Sequence, residues 1–335
     1  MIKYSIILRA YNAEMQVARS IESIIQQNYT NWELIIVDDG SQDDTGRICD
    51  EYALKDKRIK VVHQENKGCL LATQTGIKHS TGEYVCLVDS DDWYEIKYLQ
   101  KVNEILCNHK VDMVIVNYRI ICQDKETREF HLVETDEITD AKGAIIKFLQ
   151  TTNYALWNKF VARERIKYTE AEQHFFDTAG KTTNLGDDLY LLMPVLCGCD
   201  KVYFLSECLY NYMIDDNSIS HKNVKNHWNE VSIRNRLMQV TYDAIEKRGC
   251  MDNDIQALIQ IDTVVLMMPN IMEILKNKKI DRRVLGELRN NHFYRQIVAK
   301  TRFSVMKAKM SKKRAMAFWI FNQIVRLPFL AAVEK

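Results

Sequence analysis

The sequence lacks the features that would place this protein in several large classes. Its 46 Lys and Arg residues are balanced by 45 Asp and Glu residues, so no excess of positive charge indicates binding to nucleic acid. None of its nine cysteines forms a CxxC pair, a usage typical of reduced thiols rather than of a disulfide framework or a zinc site. The apolar run in its first residues, MIKYSIILRAYN, is too short for a signal peptide or a membrane span, so we expect a cytoplasmic protein.

Common phosphate-binding motifs are missing as well. The chain contains no GxxxxGKS or GxxxxGKT loop and no GxGxxG turn, which excludes a P-loop and an ordinary dinucleotide fingerprint. It also contains no internal repeat and no linker rich in Gly or Ser. A nucleotide bound by this chain would therefore need another partner for its phosphates, such as a metal ion.

The first third of the chain alternates between strand and helix patterns. Strands buried on both faces are predicted from short β-branched runs at residues 4–8, 33–37, 59–63 and 84–88. Helical patterns separate these runs, which predicts an α/β fold with a mainly parallel sheet. Further strands are expected at 111–121 and, with antiparallel pairing, at 129–134.

The apolar period becomes helical from about residue 225, and this change predicts two regions. Residues 1–222 would form the α/β domain, with a first half of about 1–110 and a second half of about 111–222. Residues 223–335 would form a helical extension.

Two acidic clusters follow predicted strands. The stretch CLVDSDDWY, residues 86–94, ends an apolar run in Asp89, Asp91 and Asp92, and IIVDDGSQDDT, residues 35–45, repeats the pattern. Like charges this close raise one another's pKa unless a cation or hydrogen-bond donors compensate them. Capping of a helix explains one or two of these acids but not both clusters. Because ligands bind beyond the carboxyl ends of parallel strands, we expect one crevice that holds Mg²⁺ or Mn²⁺ and a nucleotide.

The order and separation of several segments resemble family 2 glycosyltransferases of the GT-A fold. The segments are SIILRAYNAE, ELIIVDDGSQDDT, KVVHQENKG, TGEYVCLVDSDDW and LGDDLYLL, within roughly residues 1–220. The resemblance implies a Rossmann-like, mainly parallel twisted sheet flanked by helices, followed by a helical extension that the resemblance does not cover. It also implies inverting, metal-dependent transfer of one hexosyl or N-acetylhexosaminyl group. The donor would be a nucleotide sugar, UDP-linked by expectation, and the acceptor a glycan or lipid-linked glycan of a cell-surface polysaccharide.

The same resemblance assigns the donor side of the site. Tyr11 matches the residue that packs against the nucleotide base, and Asp39 matches the carboxylate that reads the base. Asp91 is expected to bind Mn²⁺ or Mg²⁺, and Asp89 to reach the ribose or a metal-bound water. The expected nucleotide-binding residues are Arg9, Ala10, Tyr11, Asp39, Asp89 and Ser90, and the expected metal-binding residues are Asp89, Asp91 and His221. The remaining acid of the cluster, Asp92, is expected to cap the following helix.

The acceptor side follows from two other segments. LGDDLYLL matches the acidic pair that deprotonates the acceptor, and we favour Asp188 over Asp187 as the base because it lies four residues before Leu192 on one helical stripe. Trp157, Asn158 and Lys159 resemble an acceptor-side segment, although a Trp in a strand is more often a core residue.

Some positions depart from the family pattern. Arg9 stands where the family usually has Pro, and Thr73 and Gln74 replace a common Arg–Asn pair. Two other functions therefore stay open: a nucleotide-sugar sensor or scaffold without catalysis, and a sugar nucleotidyltransferase. The latter would need a basic, Gly-rich phosphate loop after the first strand, and RAYNAEMQ is not one.

The tail, residues 302–335, has a composition of its own. Between Arg302 and Val333 it contains several Lys and Arg residues and no acid, beside the apolar run from Ala315 to Phe321. This run is too short to span a bilayer, and basic residues beside aromatic ones favour a helix lying on an anionic membrane surface. The alternative is that Trp319 and Phe321 pack onto the preceding helices. The tail therefore predicts a cytoplasmic protein that is peripheral on the membrane.

Overall fold

The structure, a computed structural model, separates into two compact units. One unit comprises Met1–Ala144 and Tyr154–His221, and the other comprises Ile145–Asn153 and Lys222–Lys335. The residues that the structure describes are 1–122, 125–151, 153–170, 172–173, 187–214, 226–277, 280–302, 304, 306 and 310–326.

The first unit is built on one sheet. Its strands are β1 (Tyr4–Ala10), β2 (Trp32–Asp38), β3 (Ile59–His63), β4 (Tyr84–Asp89), β5 (Trp93–Tyr94), β6 (Met113–Cys122), β7 (Lys125–Phe130), β8 (Glu137–Thr139), β9 (Lys159–Ala162) and β10 (Val202–Ile214). The order is β3-β2-β1-β4-β9-β6-β10-β5, with β7 beside β6 and β8 beside β10. Strands β1 to β4 are mutually parallel and β10 is parallel to β6, whereas β9 is antiparallel to both of its neighbours.

Helices follow the strands along the first unit and make up most of the second. Their bounds are α1 (Val17–Ile25), α2 (Thr45–Lys55), α3 (Cys69–His79), α4 (Tyr98–Asn108), α5 (Ala141–Thr151), α6 (Asp187–Leu196), α7 (His227–Lys247), α8 (Asn253–Asn277), α9 (Arg282–Asn290), α10 (His292–Gln296) and α11 (Lys312–Arg326). Short 3-10 helices lie at Arg163–Arg165 and Val298–Lys300.

The predicted parallel sheet is confirmed, and its register positions the strand ends. The side chains of β1 and β2 are almost all buried, as expected for β-branched strands covered on both faces. In the pairing of β1 with β2, Ala10 lies opposite Asp38, and in the pairing of β1 with β4, Arg9 lies opposite Asp89. The residues after the first, second and fourth strands therefore emerge together at one edge.

The strand expected at 129–134 is only partly correct. The strand of this region that pairs with β6 in an antiparallel way is β7, which ends at Phe130. Beyond it the backbone leaves the ladder because the buried side chain of Asn117 replaces a strand as the partner. Its Oδ1 accepts a hydrogen bond from the Leu132 amide at 2.8 Å, and its Nδ2 donates to the Val133 carbonyl at 2.8 Å.

In the second unit, the expected helical period is confirmed. Trp228, Val231 and Met238 of α7 are buried, and α8 buries an apolar stripe that includes Ile255 and Ile259. By length and composition alone, α8 could also cross a membrane. Half of its most apolar window is buried within the protein, however, and core helices pass the same test.

The close contact between α3 and β1 yields a test of packing. A Cβ atom at Gly76 of α3 would overlap the buried side chain of Ile7 on β1. We expect Gly76→Ala to lower the free energy of unfolding by about 1–3 kcal/mol, because overpacking outweighs the better helix propensity of alanine. Urea unfolding measures the difference.

Gly286 of α9 is the matched control for this substitution. A Cβ atom there meets nothing within 4 Å, so Gly286→Ala should raise the free energy of unfolding by about 0.5–1 kcal/mol. Equal stability changes for the two variants would contradict the proposed packing of α3 on β1.

Candidate active site at the strand ends

The three acids of CLVDSDDWY lie in three different environments. Asp92 is fully buried, where its Oδ2 accepts a hydrogen bond from the Tyr210 hydroxyl at 2.5 Å and its Oδ1 accepts one from the Met213 amide at 2.8 Å. Burial raises its pKa well above the ordinary value. The expectation that Asp92 caps the next helix is therefore wrong: α4 begins after Lys97, and Asp92 instead connects β4 to β10. No sequence motif marks Tyr210 as this partner.

Asp89 is paired with an arginine on the neighbouring strand. The Arg9 Nε donates to Asp89 Oδ1 at 3.1 Å, and the Arg9 Nη2 contacts the same oxygen. The third nitrogen, Nη1, donates to the Thr73 hydroxyl at 3.3 Å. Burial alone would lower the pKa of Arg9, but the Asp89 charge overrides burial and the pKa is raised. Two positions that depart from the family pattern, Arg9 and Thr73, thus contact each other.

Asp91 is half-buried and is not neutralised by an ion pair among the described residues. Burial, with the Asp89 charge as the second cause, raises the pKa of Asp91 to about 6. The backbone of this turn is held firmly, since the Ser20 hydroxyl donates to the Ser90 carbonyl at 2.8 Å and Arg19 donates to the Asp91 carbonyl at 2.5 Å. The backbone that carries Asp91 is therefore fixed, and the charges of Arg19 and Arg9 compensate its carboxyl only in part.

Asp39 organises the loop that precedes α3. Its Oδ1 accepts hydrogen bonds from the Gln64 side chain at 2.6 Å and from the Lys67 amide at 2.9 Å, and its Oδ2 accepts one from the Gly68 amide at 2.8 Å. Gly68 has φ +87°, a conformation that glycine adopts without strain. These bonds leave part of the carboxylate's acceptor capacity for a ligand.

The neighbouring acid, Asp38, has a structural role. Its Oδ1 accepts a hydrogen bond from the Ser41 amide at 3.0 Å, and its Oδ2 lies 2.9 Å from His63 Nδ1. The other nitrogen of the same ring, Nε2, lies 3.1 Å from Asp50 Oδ1. The hydrogen bond to Asp38, more than that to Asp50, raises the pKa of His63. The sequence analysis did not anticipate this pair, because the two residues lie on different strands.

Tyr11 lies beside Asp39 at the end of β1. The Asp39 amide donates to the Ala10 carbonyl at 2.9 Å, which holds the two strand ends together. The Tyr11 side chain is 46% exposed, although most large apolar side chains of this unit are buried. An exposed aromatic ring beside an acid leaves a flat surface for a planar ligand, and the packing of Tyr11 against a nucleotide base stays a prediction.

Asp188 of α6 carries the acidic side chain predicted to act as a base. Burial raises its pKa to about 6, while the charge of Arg9 lowers it, that of Asp89 raises it and that of Lys159 lowers it. The Leu156 amide also donates a hydrogen bond to its carboxylate. Because the charges of Arg9 and Asp89 act on Asp188, the end of α6 belongs to the same site as the ends of β1 and β4.

The predicted acceptor-side segment lies in the core of the first unit. The Trp157 ring stacks on Tyr210 and Tyr212, with centroid separations of 4.3 and 5.2 Å. The buried Asn158 Nδ2 donates to a backbone carbonyl of β6 at 2.7 Å, and its Oδ1 accepts from the Lys159 ammonium at 2.7 Å. Burial lowers the pKa of Lys159 to about 7. Of these residues, Lys159 acts on Asp188 through its charge, and contact of the segment with an acceptor stays a prediction.

Two predicted residues fall at least partly outside the described part of the chain. The backbone of Asp187 begins α6, but its side chain is not among the described residues, and neither is any part of His221. The choice between Asp187 and Asp188 as the base, and the role of His221 as a metal ligand, therefore stay predictions.

The residues at the end of β4 fit a divalent cation. Within the described residues, Asp89 Oδ2 accepts no hydrogen bond and the Asp91 carboxylate accepts one only from its own amide. Hard, anionic oxygens are what Mg²⁺ and Mn²⁺ bind best, and these carboxylates offer them although Arg9 is paired with Asp89. Asp89 and Asp91 are therefore the residues that would hold the ion.

A second group of possible metal ligands does not fit as well. Glu129, His131 and Cys208 have ligand atoms within 4.8 Å of one another. However, the Asn117 Nδ2 lies 3.1 Å from His131 Nδ1 and is oriented by two backbone carbonyls at 2.8 Å. The two carbonyls accept both hydrogens of that amide, and His131 Nε2 lies 3.3 Å from Glu129 Oε2, so both ring nitrogens already face polar groups of the protein. We therefore assign no metal to this group.

A mainly parallel sheet with acids at the ends of β2 and β4 and another on α6 is the arrangement expected from the resemblance to glycosyltransferases of the GT-A fold. The solved structure of S. aureus TarS 1-349 in complex with UDP has the same fold, with a TM-score of 0.66 over 97% of this chain and 88% of that chain, at 17% identity. The sequence model of Glycosyl transferase family 2 matches residues 5–175. The chain belongs to Glycosyl transferase family 2, so the predicted family and the predicted GT-A fold are confirmed.

The curated relatives are longer than the region that matches this chain. Glycosyltransferase GlyA of Streptococcus pneumoniae serotype 4 is 32% identical over 255 residues, which are 73% of this chain but 34% of GlyA. Glycosyltransferase GlyG of the same organism is 30% identical over 208 residues, 56% of this chain and 69% of GlyG. Because this chain spans only about a third of GlyA, the activity of that whole protein does not transfer to it.

The raised pKa of Asp188 predicts how a variant changes stability with pH. A carboxyl whose folded-state pKa lies near 6, above the ordinary 3.8, stabilises the fold when it is protonated, and this stability is lost as the pH rises from 3.8 to 6. We expect Asp188→Asn to be more stable than the native protein at pH 8, by at most about 3 kcal/mol, and by only about half as much at pH 5.

Glu65→Gln is the control for a simple change in net charge, since Glu65 is an exposed loop residue. It should leave the melting temperature nearly unchanged at both pH values. If Asp188→Asn and Glu65→Gln respond alike, Asp188 is not under the electrostatic strain described above.

Proposed function

We propose that this chain is an inverting, metal-dependent glycosyltransferase that transfers one hexosyl or N-acetylhexosaminyl group from a UDP-sugar. The acceptor class is a glycan or lipid-linked glycan of a cell-surface polysaccharide. The observation that carries the proposal is the joint placement of three groups: the Tyr11 and Asp39 pair, the Asp89 and Asp91 pair, and Asp188. The charges of Arg9 and Asp89, which act on Asp188, connect the last two groups.

The donor half of the proposal rests on Tyr11, Asp39 and the end of β4. The exposed Tyr11 ring would pack against a nucleobase, and the remaining acceptor capacity of Asp39 suits the N3–H of uracil. TarS, which shares the fold, was solved in complex with UDP and with UDP-GlcNAc. Ser90 and Ala10 would contact the nucleotide through the backbone of the two strand ends.

The chemical step would require one base and no nucleophilic carboxylate. The acceptor oxygen attacks the anomeric carbon, its proton passes to Asp188, and the bond from that carbon to the diphosphate oxygen breaks, which inverts the configuration. Asp89 and Asp91 would hold a divalent cation, which would supply charge stabilisation to the leaving diphosphate. With a pKa of about 6, Asp188 is ionised at neutral pH and still basic enough to accept a proton.

Substitution of Asp91 tests the donor site. We expect Asp91→Ala to weaken Mn²⁺-dependent UDP binding by more than tenfold, or about 1.4 kcal/mol, because Asp89 alone remains at that strand end. Isothermal titration with UDP, in Mn²⁺ and in a chelator, measures the loss. A screen of UDP, GDP and dTDP sugars for metal-dependent hydrolysis then identifies the donor.

Asp188→Asn is the matched variant for chemistry. It should keep Mn²⁺-dependent UDP binding and lose at least about 10²-fold in sugar transfer or donor hydrolysis. If Asp91→Ala binds UDP in Mn²⁺ as tightly as the native protein does, Asp91 is not a metal ligand. Tight UDP binding by the native protein with no hydrolysis of any donor and no transfer would favour the sensor over the enzyme.

A peripheral membrane location is the proposed setting for a lipid-linked acceptor. One face of α11 is buried through Phe318 and Phe321, so the tail is partly a core element. The opposite face exposes Met316, Trp319 and Ile320 by 42, 49 and 41% of their surface. The basic residues that begin α11 oppose the helix dipole, and an anionic surface would offset this repulsion.

The exposed face can be changed without disturbing the buried one. We expect the double variant Trp319→Gln, Ile320→Gln to lose sedimentation with phosphatidylglycerol vesicles at low salt, because these side chains would enter the headgroup region. Ile280→Gln removes an isoleucine of similar exposure, 44%, and should bind vesicles like the native protein. If the native protein does not sediment with the vesicles at low salt, the membrane proposal is wrong.

A further inference from the structure

Arg9 occupies an unusual position for a cation in this site. Its side chain is only 10% exposed, and its ion-pair partner Asp89 is 29% exposed. The register of β1 with β4 places the two residues opposite each other, so the pair is built into the sheet. The remaining nitrogen is held by the Thr73 hydroxyl of α3 at 3.3 Å.

Burial determines what Arg9 can do when a ligand arrives. A guanidinium does not lose its proton in proteins, so Arg9 cannot escape the cost of burial by becoming neutral. It therefore needs an anion beside it in every state of the site. Two anions act on it in this structure, Asp89 by contact and Asp188 through its charge.

A divalent cation at Asp89 and Asp91 would compete with Arg9. Both contacting nitrogens of Arg9 bind the same oxygen, Asp89 Oδ1, and thereby draw on the negative charge that a metal would need. A metal on the other oxygen would also lie next to a buried positive charge, which disfavours its binding. A diphosphate that enters with the metal changes this balance, because it brings negative charge for both cations.

We propose that Arg9 is the counterion of Asp89 in the nucleotide-free protein and passes to the diphosphate when metal and nucleotide bind together. The inference rests on the proposed function, since it takes a nucleoside diphosphate as the ligand. Arg9 then makes metal binding depend on the nucleotide: it opposes the metal alone and stabilises the complex of both. Such coupling is reciprocal, so the metal raises nucleotide affinity by the same factor.

The test measures Mn²⁺ binding without nucleotide, by the electron paramagnetic resonance signal of free Mn²⁺. We expect Arg9→Met to bind Mn²⁺ at least about tenfold more tightly than the native protein, because Asp89 is released from its ion pair. At saturating Mn²⁺, the same variant should bind UDP at least about tenfold more weakly, because the diphosphate loses a charged partner. The factor by which UDP improves Mn²⁺ binding should therefore shrink.

Two variants control for folding and for net charge. Arg9→Lys keeps the charge but loses the two-nitrogen contact, so it should change both affinities in the same directions by smaller factors. Arg47→Met removes an exposed arginine of α2, 58% exposed, and should bind Mn²⁺ and UDP like the native protein. If Arg9→Met does not fold, Arg9→Lys decides the proposal: it should bind Mn²⁺ more tightly without nucleotide and UDP more weakly at saturating Mn²⁺.

The outcomes separate this inference from the proposed function. Native protein that shows no Mn²⁺-dependent UDP binding contradicts the glycosyltransferase proposal itself. Native protein that shows such binding, with Arg9 variants that bind Mn²⁺ no more tightly than it does, overturns only the role of Arg9. Tighter Mn²⁺ binding with unchanged UDP affinity also overturns it, because Arg9 would then never reach the diphosphate.

Discussion

The parallel register of β1 with β2 and β4 is the constraint on which the site depends. It places Ala10 opposite Asp38 and Arg9 opposite Asp89, so that the strands end at one level. A shift of one residue in either pairing would move buried side chains to the other face of the sheet. Since both faces of these strands are covered, each side chain has a fitted place, and the strand ends cannot slide without disturbing the core.

Within this frame, burial sorts the acids by role. Asp92 is fully enclosed and satisfied by Tyr210 and a backbone amide, which makes it part of the scaffold. Asp89 is paired with Arg9, whereas Asp91 has no ion-pair partner among the described residues, and burial, with the Asp89 charge as the second cause, raises its pKa to about 6. Asp188 has a similarly raised pKa for the same primary reason, burial. These environments are consistent with the proposed roles, in which the carboxylates at the end of β4 bind a cation and Asp188 accepts a proton.

The second unit contributes a different kind of surface. Its helices bury their apolar stripes, and α11 follows the same rule on one side. Yet α11 keeps Trp319 and Ile320 exposed beside basic residues, a combination that a helix of the soluble core does not need. The proposed membrane contact gives a reason for it.

Local patterns in the sequence were enough to predict the first four strands, the parallel sheet and the edge at which the acids gather. Each of these depends on periodicity or on residues that are close together in the chain, and the resemblance of several motifs to a known family added the family. The partners of the acids were not predictable in this way. Arg9 meets Asp89 across 80 positions of sequence and Tyr210 meets Asp92 across 118, and only the packing of the sheet brings them within hydrogen-bonding distance. The sequence by itself thus determined which residues could do chemistry, whereas the tertiary structure decided which acids are neutralised, because charge compensation requires contact and contact is set by the fold.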